Sequence, residues 1–338
     1  MKYIGRLFLL LLATALLGCS AAPDPAGGYA PGDSERLILY TSHKKEVYEP
    51  IVREFEERTG IWVTVVTGGT NELLDEIAAH PDDAVCDVMF GGGADSLLSC
   101  RGLFLPYACA EESSVSEAYR TPDDCVTPFS ALPIVLIYHT KLVDAEHLNG
   151  WSDLLDPAWK GKIAFADPNV SGSSYTALRT LCECIGGDRD EVMRAFAENL
   201  DGKQLSGSGE VLRAVADGRF PIGVTLEETA WKYILADNDI GIVYPSEGTS
   251  AVPDGCAILK NAPHIDNAKL FVEFILGRDV QTKLVSEQWR RSVRMDVPAP
   301  EALPDADALS LIRFDYRSEI SMHDEVLTAW AALTEGKQ

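Results

Sequence analysis

Short apolar runs alternate with amphipathic stretches along most of the chain. Residues 36–41 (RLILYT) form a compact apolar run of strand length. Over 45–58 the apolar residues Val47, Ile51, Val52 and Phe55 recur at helical spacing with charges between them, and Gly60 ends the helix. Residues 61–66 (IWVTVV) predict a second strand. Gly68, Gly69 and Thr70 then turn into a helix over 71–79, and 86–90 (CDVMF) predict a third strand. Gly91, Gly92 and Gly93 lead from it into a helix starting near Asp95. Three strand–loop–helix units in succession predict a parallel, doubly wound α/β sheet with helices on both faces.

The pattern continues with strands at 133–139 and 163–166, then a turn through Ser171, Gly172, Ser173 and Ser174 into a helix from Tyr175. A helix over 192–199 follows, and Ser206, Gly207, Ser208 and Gly209 open another over 210–217. Strands at 222–225 and 240–244 flank a helix at 227–236, and 255–259 reads as a further strand. The remainder is helical at 265–276, 279–287 and 318–333. No internal repeat interrupts this order.

The N-terminus follows a different pattern. Lys2 and Arg6 precede an apolar run over 7–17, too short to span a bilayer comfortably. It ends in Leu16, Leu17, Gly18 and Cys19, which resembles the lipobox of bacterial lipoproteins. That resemblance implies a signal peptide over 1–18, a lipid on Cys19 and attachment to a membrane. Residues 19–35, rich in Pro, Gly, Ala and Asp, read as a flexible tether.

Charge and cysteine content narrow the function. Twenty-nine Lys and Arg against 52 Asp and Glu leave a formal charge of −23, the wrong sign for a nucleic-acid binder. An anionic ligand must then be held by local donors against the overall field. Eight cysteines leave seven beyond Cys19, so at least one thiol is unpaired. One or two bridges are expected among Cys86, Cys100, Cys109 and Cys125, whereas Cys182 and Cys184, two apart on a helix, face different ways. His43, His80, His139, His147, His264 and His323 show no metal-ligand spacing, and no Gly-x-Ser-x-Gly elbow marks a hydrolase. The chain reads as neither an enzyme nor a cofactor carrier.

Several phrases, in order, resemble the ferric-binding-protein-like branch of bacterial periplasmic binding proteins. They are Leu39-Tyr40-Thr41-Ser42, Phe55-Glu56-Glu57-Arg58-Thr59-Gly60, Cys86-Asp87-Val88-Met89-Phe90-Gly91-Gly92 and Trp159-Lys160-Gly161-Lys162-Ile163. A closing Ala268-Lys269-Leu270-Phe271-Val272-Glu273-Phe274 completes the set. The resemblance covers about 36–289. It implies two doubly wound α/β lobes of the type II periplasmic-binding-protein kind, joined by crossover strands near 128–138 and 244–259, with a solute between them. Lobe one would be discontinuous (36–130 plus 260–338) and lobe two would span 131–259. It also implies a monomer serving a cognate ABC permease.

The family's iron-binding members use adjacent tyrosines just after the strand that here is 222–225. This chain has Leu226-Glu227-Glu228-Thr229-Ala230-Trp231-Lys232-Tyr233 instead, so the phenolates are missing and ferric iron is the second reading. Other branches carry phosphonates and sugar phosphates, and an oxyanion suits the turns of this chain. Ser42 follows a strand, and Gly69 with Thr70, Gly92 with Gly93, and Ser171 to Ser174 each precede a helix. Helix N-termini offer unpaired N–H groups and partial positive charge. Each turn is also what ordinary N-capping requires, and only their number points to a ligand. Thr225 and one of the carboxylates Glu227 and Glu228, which equally suit a helix start, are expected to meet the other end of the solute. A sensory or surface lipoprotein on the same fold is a further alternative.

Overall fold

The computed structural model describes residues 31–80, 83 and 85–335. The signal-peptide reading of 1–18 and the proposed lipid site Cys19 lie outside the described residues. The elements in chain order are β1 (Arg36–Thr41), α1 (Lys45–Thr59), β2 (Trp62–Thr67), α2 (Thr70–Ala79), β3 (Val88–Gly93), α3 (Ala94–Ser99), β4 (Thr127–Ala131) and β5 (Ile134–His139). Next come β6 (Ile163–Ala164), α4 (Gly172–Ile185), α5 (Arg189–Leu200), α6 (Ser208–Ala216), β7 (Ile222–Leu226), α7 (Glu227–Leu235) and β8 (Ile240–Val243). The chain closes with β9 (Thr249–Ser250), β10 (Pro253–Ile258), α8 (Ile265–Leu276), α9 (Arg278–Gln288), β11 (Arg291–Ser292), β12 (Leu311–Ile312) and α10 (Glu319–Thr334).

Local chemistry accounts for the first unit. Leu37 and Leu39 on β1 are fully buried, and Val47, Ile51, Val52 and Phe55 put one face of α1 onto the sheet. Gly60, at φ 73°, ends α1 and returns its N–H to the Glu56 carbonyl.

Two sheets result. The larger has the order β11-β4-β10-β3-β1-β2, and the smaller β6-β7-β5-β8. Neither is purely parallel. In the larger, β1 runs parallel to β2 and β3, whereas β10 lies antiparallel to both β3 and β4. In the smaller, β5 is antiparallel to β7 and β8. The antiparallel strands are the ones that carry the chain between sheets. β4 ends in one sheet and β5 begins the other after only Leu132 and Pro133, and β10 brings the chain back. β10, expected at the end of lobe two, is therefore a central strand of the larger sheet.

Each sheet has its own core. Phe90, Phe129, Phe271 and Phe55 interlock behind the larger one, with Phe55–Phe271 and Phe90–Phe271 edge to face at 5.2 and 5.3 Å. Trp151, Tyr175, Phe165 and Phe196 fill the core of the smaller one, and Val326 and Trp330 of α10 join them. Helix α10 also packs on α3, so the C-terminal helix, expected on lobe one, touches both lobes.

The expected disulfides are not formed. Cys86, Cys100, Cys109, Cys125, Cys182, Cys184 and Cys256 are all free. Cys109 instead donates to Glu273 at 3.1 Å, and Cys86 is fully buried beside β3, where burial pushes its thiol well above the ordinary value.

Candidate functional site: a cleft between two sheets

A cleft of about 800 Å³ lies where the carboxyl ends of β1, β3 and β7 face one another, the place where open α/β sheets bind ligands. Its volume is in the range of small-molecule sites. Among the described residues, no helix is long and apolar enough to cross a membrane, and no group of His, Cys, Asp and Glu is arranged to hold a metal.

The lobe-one wall starts at the end of β1. Thr41 Oγ1 donates to the Phe90 carbonyl at 2.6 Å and accepts the His43 N–H at 3.1 Å, which fixes the turn carrying Ser42. Gly92 follows in β3 at φ 89°, with Thr70 so close that an added Cβ would lie 2.5 Å from its methyl. Gly69, at the start of α2, has no side chain to cap the helix, and its own N–H is taken by Glu72 Oε2 at 3.2 Å. On the lobe-two wall Ser171 caps α4, accepting the Ser174 N–H at 3.3 Å, and its hydroxyl lies 3.1 Å from that of Ser173. Helix α6 begins at Ser208 after Gly207, again without a side-chain cap.

Ten of the twelve expected binding residues line this one cleft: Ser42, Gly69, Thr70, Gly92, Gly93, Ser171, Gly172, Ser173, Thr225 and Glu228. Two do not. Ser174 is buried behind Ser171, to which it gives both its N–H and its hydroxyl. Glu227 points away, clasped by Arg291 through Nε–Oε2 at 2.7 Å and Nη2–Oε1 at 2.9 Å, and it accepts the Tyr244 hydroxyl at 2.7 Å. Successive residues on a helix are turned by about 100°, so Glu227 and Glu228 cannot both face one cleft.

Apart from Glu228, the charged residues of the cleft were missed by the sequence reading. Lys44, Lys232 and Arg290 line it, together with His43 and Asp254. Arg290 is 4% exposed and bonds Asp254, Ser130 and Glu228. Burial pushes the Glu228 carboxyl up, but the charges of Arg290, Lys232 and Lys44 outweigh it and hold it below its ordinary value. Burial, followed by Arg290, drives His43 well below the usual imidazole value, so it is neutral near pH 7. The neighbouring acid Asp254 is raised by burial in spite of Arg290 and Ser130. Only the pairing of β11 with β4 brings Arg290 here, and no local signal around Trp289 announces it.

Comparison with known proteins agrees with this architecture. Residues 86–319 match the profile of the family described as "Bacterial extracellular solute-binding protein". Iron uptake protein A1 of Synechocystis is 24% identical over 87% of this chain and 86% of its own length. A putative 2-aminoethylphosphonate-binding periplasmic protein of Salmonella typhimurium is 23% identical over 75% of this chain and 76% of its own. A periplasmic binding protein from Actinobacillus pleuropneumoniae, solved with fructose-6-phosphate bound, superposes with a TM-score of 0.82 at 22% identity, covering 89% of this chain and 99% of that one. With a family profile spanning more than half of its residues and a two-sheet fold shared with solved periplasmic binding proteins, the chain belongs to the bacterial extracellular solute-binding protein family, whose members bind solutes and are not enzymes.

Proposed function

We propose that this protein captures a small organic anion, a phosphonate or a sugar phosphate, between its two lobes and hands it to the permease of an ABC importer. The observation that carries this reading is the convergence of three helix starts, those of α2, α4 and α6, on a cleft that also holds Lys44, Lys232 and Arg290. In a chain of charge −23, such local donors are what an anion needs. A partly buried helix start contributes up to about 2 kcal/mol and a hydrogen bond to a charged group about 1.5–3 kcal/mol. A few of each reach the ~8 kcal/mol of a micromolar site.

The Salmonella and Actinobacillus relatives, by their names, take solutes of this chemistry. The Synechocystis relative supports ferric iron as the second reading. Against it, Tyr233 is the only phenol lining the cleft among the described residues, and Glu228 is already shared between two cations. Hard ferric iron calls for several free anionic oxygens. Attachment to the membrane through a lipid on Cys19 completes the proposal, and Cys19→Ala should release the protein from membranes.

Calorimetric titration with hexose phosphates, aminoethylphosphonate and ferric citrate tests the ligand class. Saturable binding of a phosphorus-bearing compound, with no heat from ferric citrate, is expected. Tight ferric binding with no response to any phosphorylated compound would overturn the proposal.

A further inference from the structure

Helix α7 and the segment joining α9 to β11 meet in a seam of three polar contacts. Glu227 takes Arg291, Glu228 takes Arg290 Nη2 at 3.2 Å, and Lys232 Nζ donates to Gln288 Oε1 at 3.2 Å. Helix α7 packs on the smaller sheet and β11 pairs in the larger one, so all three contacts join the lobes.

The two adjacent ion pairs are not equivalent. The Glu227–Arg291 pair is closed: Glu227 is 1% exposed, lies outside the cleft and uses both oxygens on Arg291, with Tyr244 added. The Glu228–Arg290 pair lies on the cleft wall. Arg290 makes its closer bonds to Asp254 and Ser130, and its Nε has no partner. Glu228 is held by one 3.2 Å bond from Arg290, by Lys232 Nζ at 3.6 Å and by the Thr229 hydroxyl. Two cations thus converge on the cleft, and the anion between them is a side chain of the protein itself.

We infer that Arg290 and Lys232 form the anion receptor at the base of the cleft, and that Glu228 is its built-in competitor. The inference rests on the reading of the cleft as an anion site. It changes the role expected of Glu228, because a carboxylate already neutralised by two cations is poorly placed to receive an ammonium or a sugar hydroxyl. It also supplies a source of specificity. A ligand must outcompete a resident carboxylate, so a simple carboxylate monoanion falls below useful affinity while a phosphate dianion, drawn more strongly by the two cations, still binds. An anion that enters while Glu228 stays in place meets a like charge, and such juxtapositions are strongly unfavourable in a desolvated site.

The test uses the full mature chain with inorganic phosphate and acetate as probes, titrated calorimetrically. Glu228→Gln keeps the shape and leaves Arg290 paired with Asp254, so no buried cation is stranded. It should tighten inorganic phosphate about tenfold or more, and strengthen acetate by no larger a factor. Adding Lys232→Met to this variant should abolish most of the gain. Circular dichroism and thermal melting establish that each variant is folded. A folded Glu228→Gln protein that binds phosphate no better than the parent, or more weakly, would overturn the inference. The two readings separate cleanly. If the parent binds a hexose phosphate but Glu228→Gln weakens it, the proposed function stands and the competitor role fails. If Glu228→Gln gains inorganic phosphate while the parent ignores every phosphorylated organic compound, the reverse holds.

Discussion

The turn through Gly68, Gly69 and Thr70 and the turn through Ser206, Gly207, Ser208 and Gly209 carry the same residue types, and each opens a helix onto the cleft, but their neighbours differ. An added Cβ at Gly69 would lie 2.7 Å from the carbonyl oxygen of Val170, on the opposite lobe. Asn71, two residues on, donates to the Pro168 carbonyl at 2.9 Å, and an added Cβ at Gly172 would meet Thr70 Oγ1 at 2.9 Å. Gly207 and Gly209 have nothing within 4 Å of such an atom. The first turn also lines the cleft, but it is where the lobes press together, and small residues there serve backbone against backbone. The second faces open cleft. A glycine before a helix therefore has two meanings, closeness to protein or access for a ligand, and its one-dimensional context is the same in both.

The same contrast separates the two glutamates that open α7, and it leads to the largest expected effect. Arg291→Met removes the partner of a carboxylate that is 1% exposed, stranding a buried charge. It should cost about 3–5 kcal/mol of stability in chemical denaturation. A loss below about 1 kcal/mol, the range of an exposed ion pair, would show that Glu227 is more solvated than its packing implies.

The two turns predict a smaller effect and one of opposite sign. Gly69→Ala forces Val170 or α2 to move and should cost about 1–3 kcal/mol, as overpacking does. Gly209→Ala puts a better helix former into α6 at an unobstructed position and should stabilise by up to about 1 kcal/mol. Melting curves of the two variants give the comparison directly. Equal effects would mean that the lobes are not pressed together at Gly69 in solution.

Much of the frame was readable from residue order. The strand Arg36–Thr41 and the helix Ile265–Leu276 fall where period and composition put them, because their burial is set by their own alternation. Ten of the expected binding residues share the cleft for a related reason: strand ends and helix starts converge in this fold. What was not readable depends on distant pairing. Arg290 reaches the cleft only because Arg291 and Ser292 add a strand beside Ala131 and Ser130. Lys232 becomes a cleft residue through the rotation of α7, the rotation that also sends Glu227 outward. Trp330 lies about 165 residues from Phe165, its partner at 6.1 Å, and nothing in its local pattern names the core it joins. The expected bridges failed for a similar reason, since four cysteines close in sequence are distributed over different elements and none forms a bridge.

The central claim, an organic anion clamped between lobes, is tested most directly by small-angle X-ray scattering during titration. Saturating hexose phosphate or aminoethylphosphonate should shrink the radius of gyration as the lobes close on the ligand, and ferric citrate should leave it unchanged. Contraction with ferric citrate, and none with any phosphorus-bearing compound, would contradict the account.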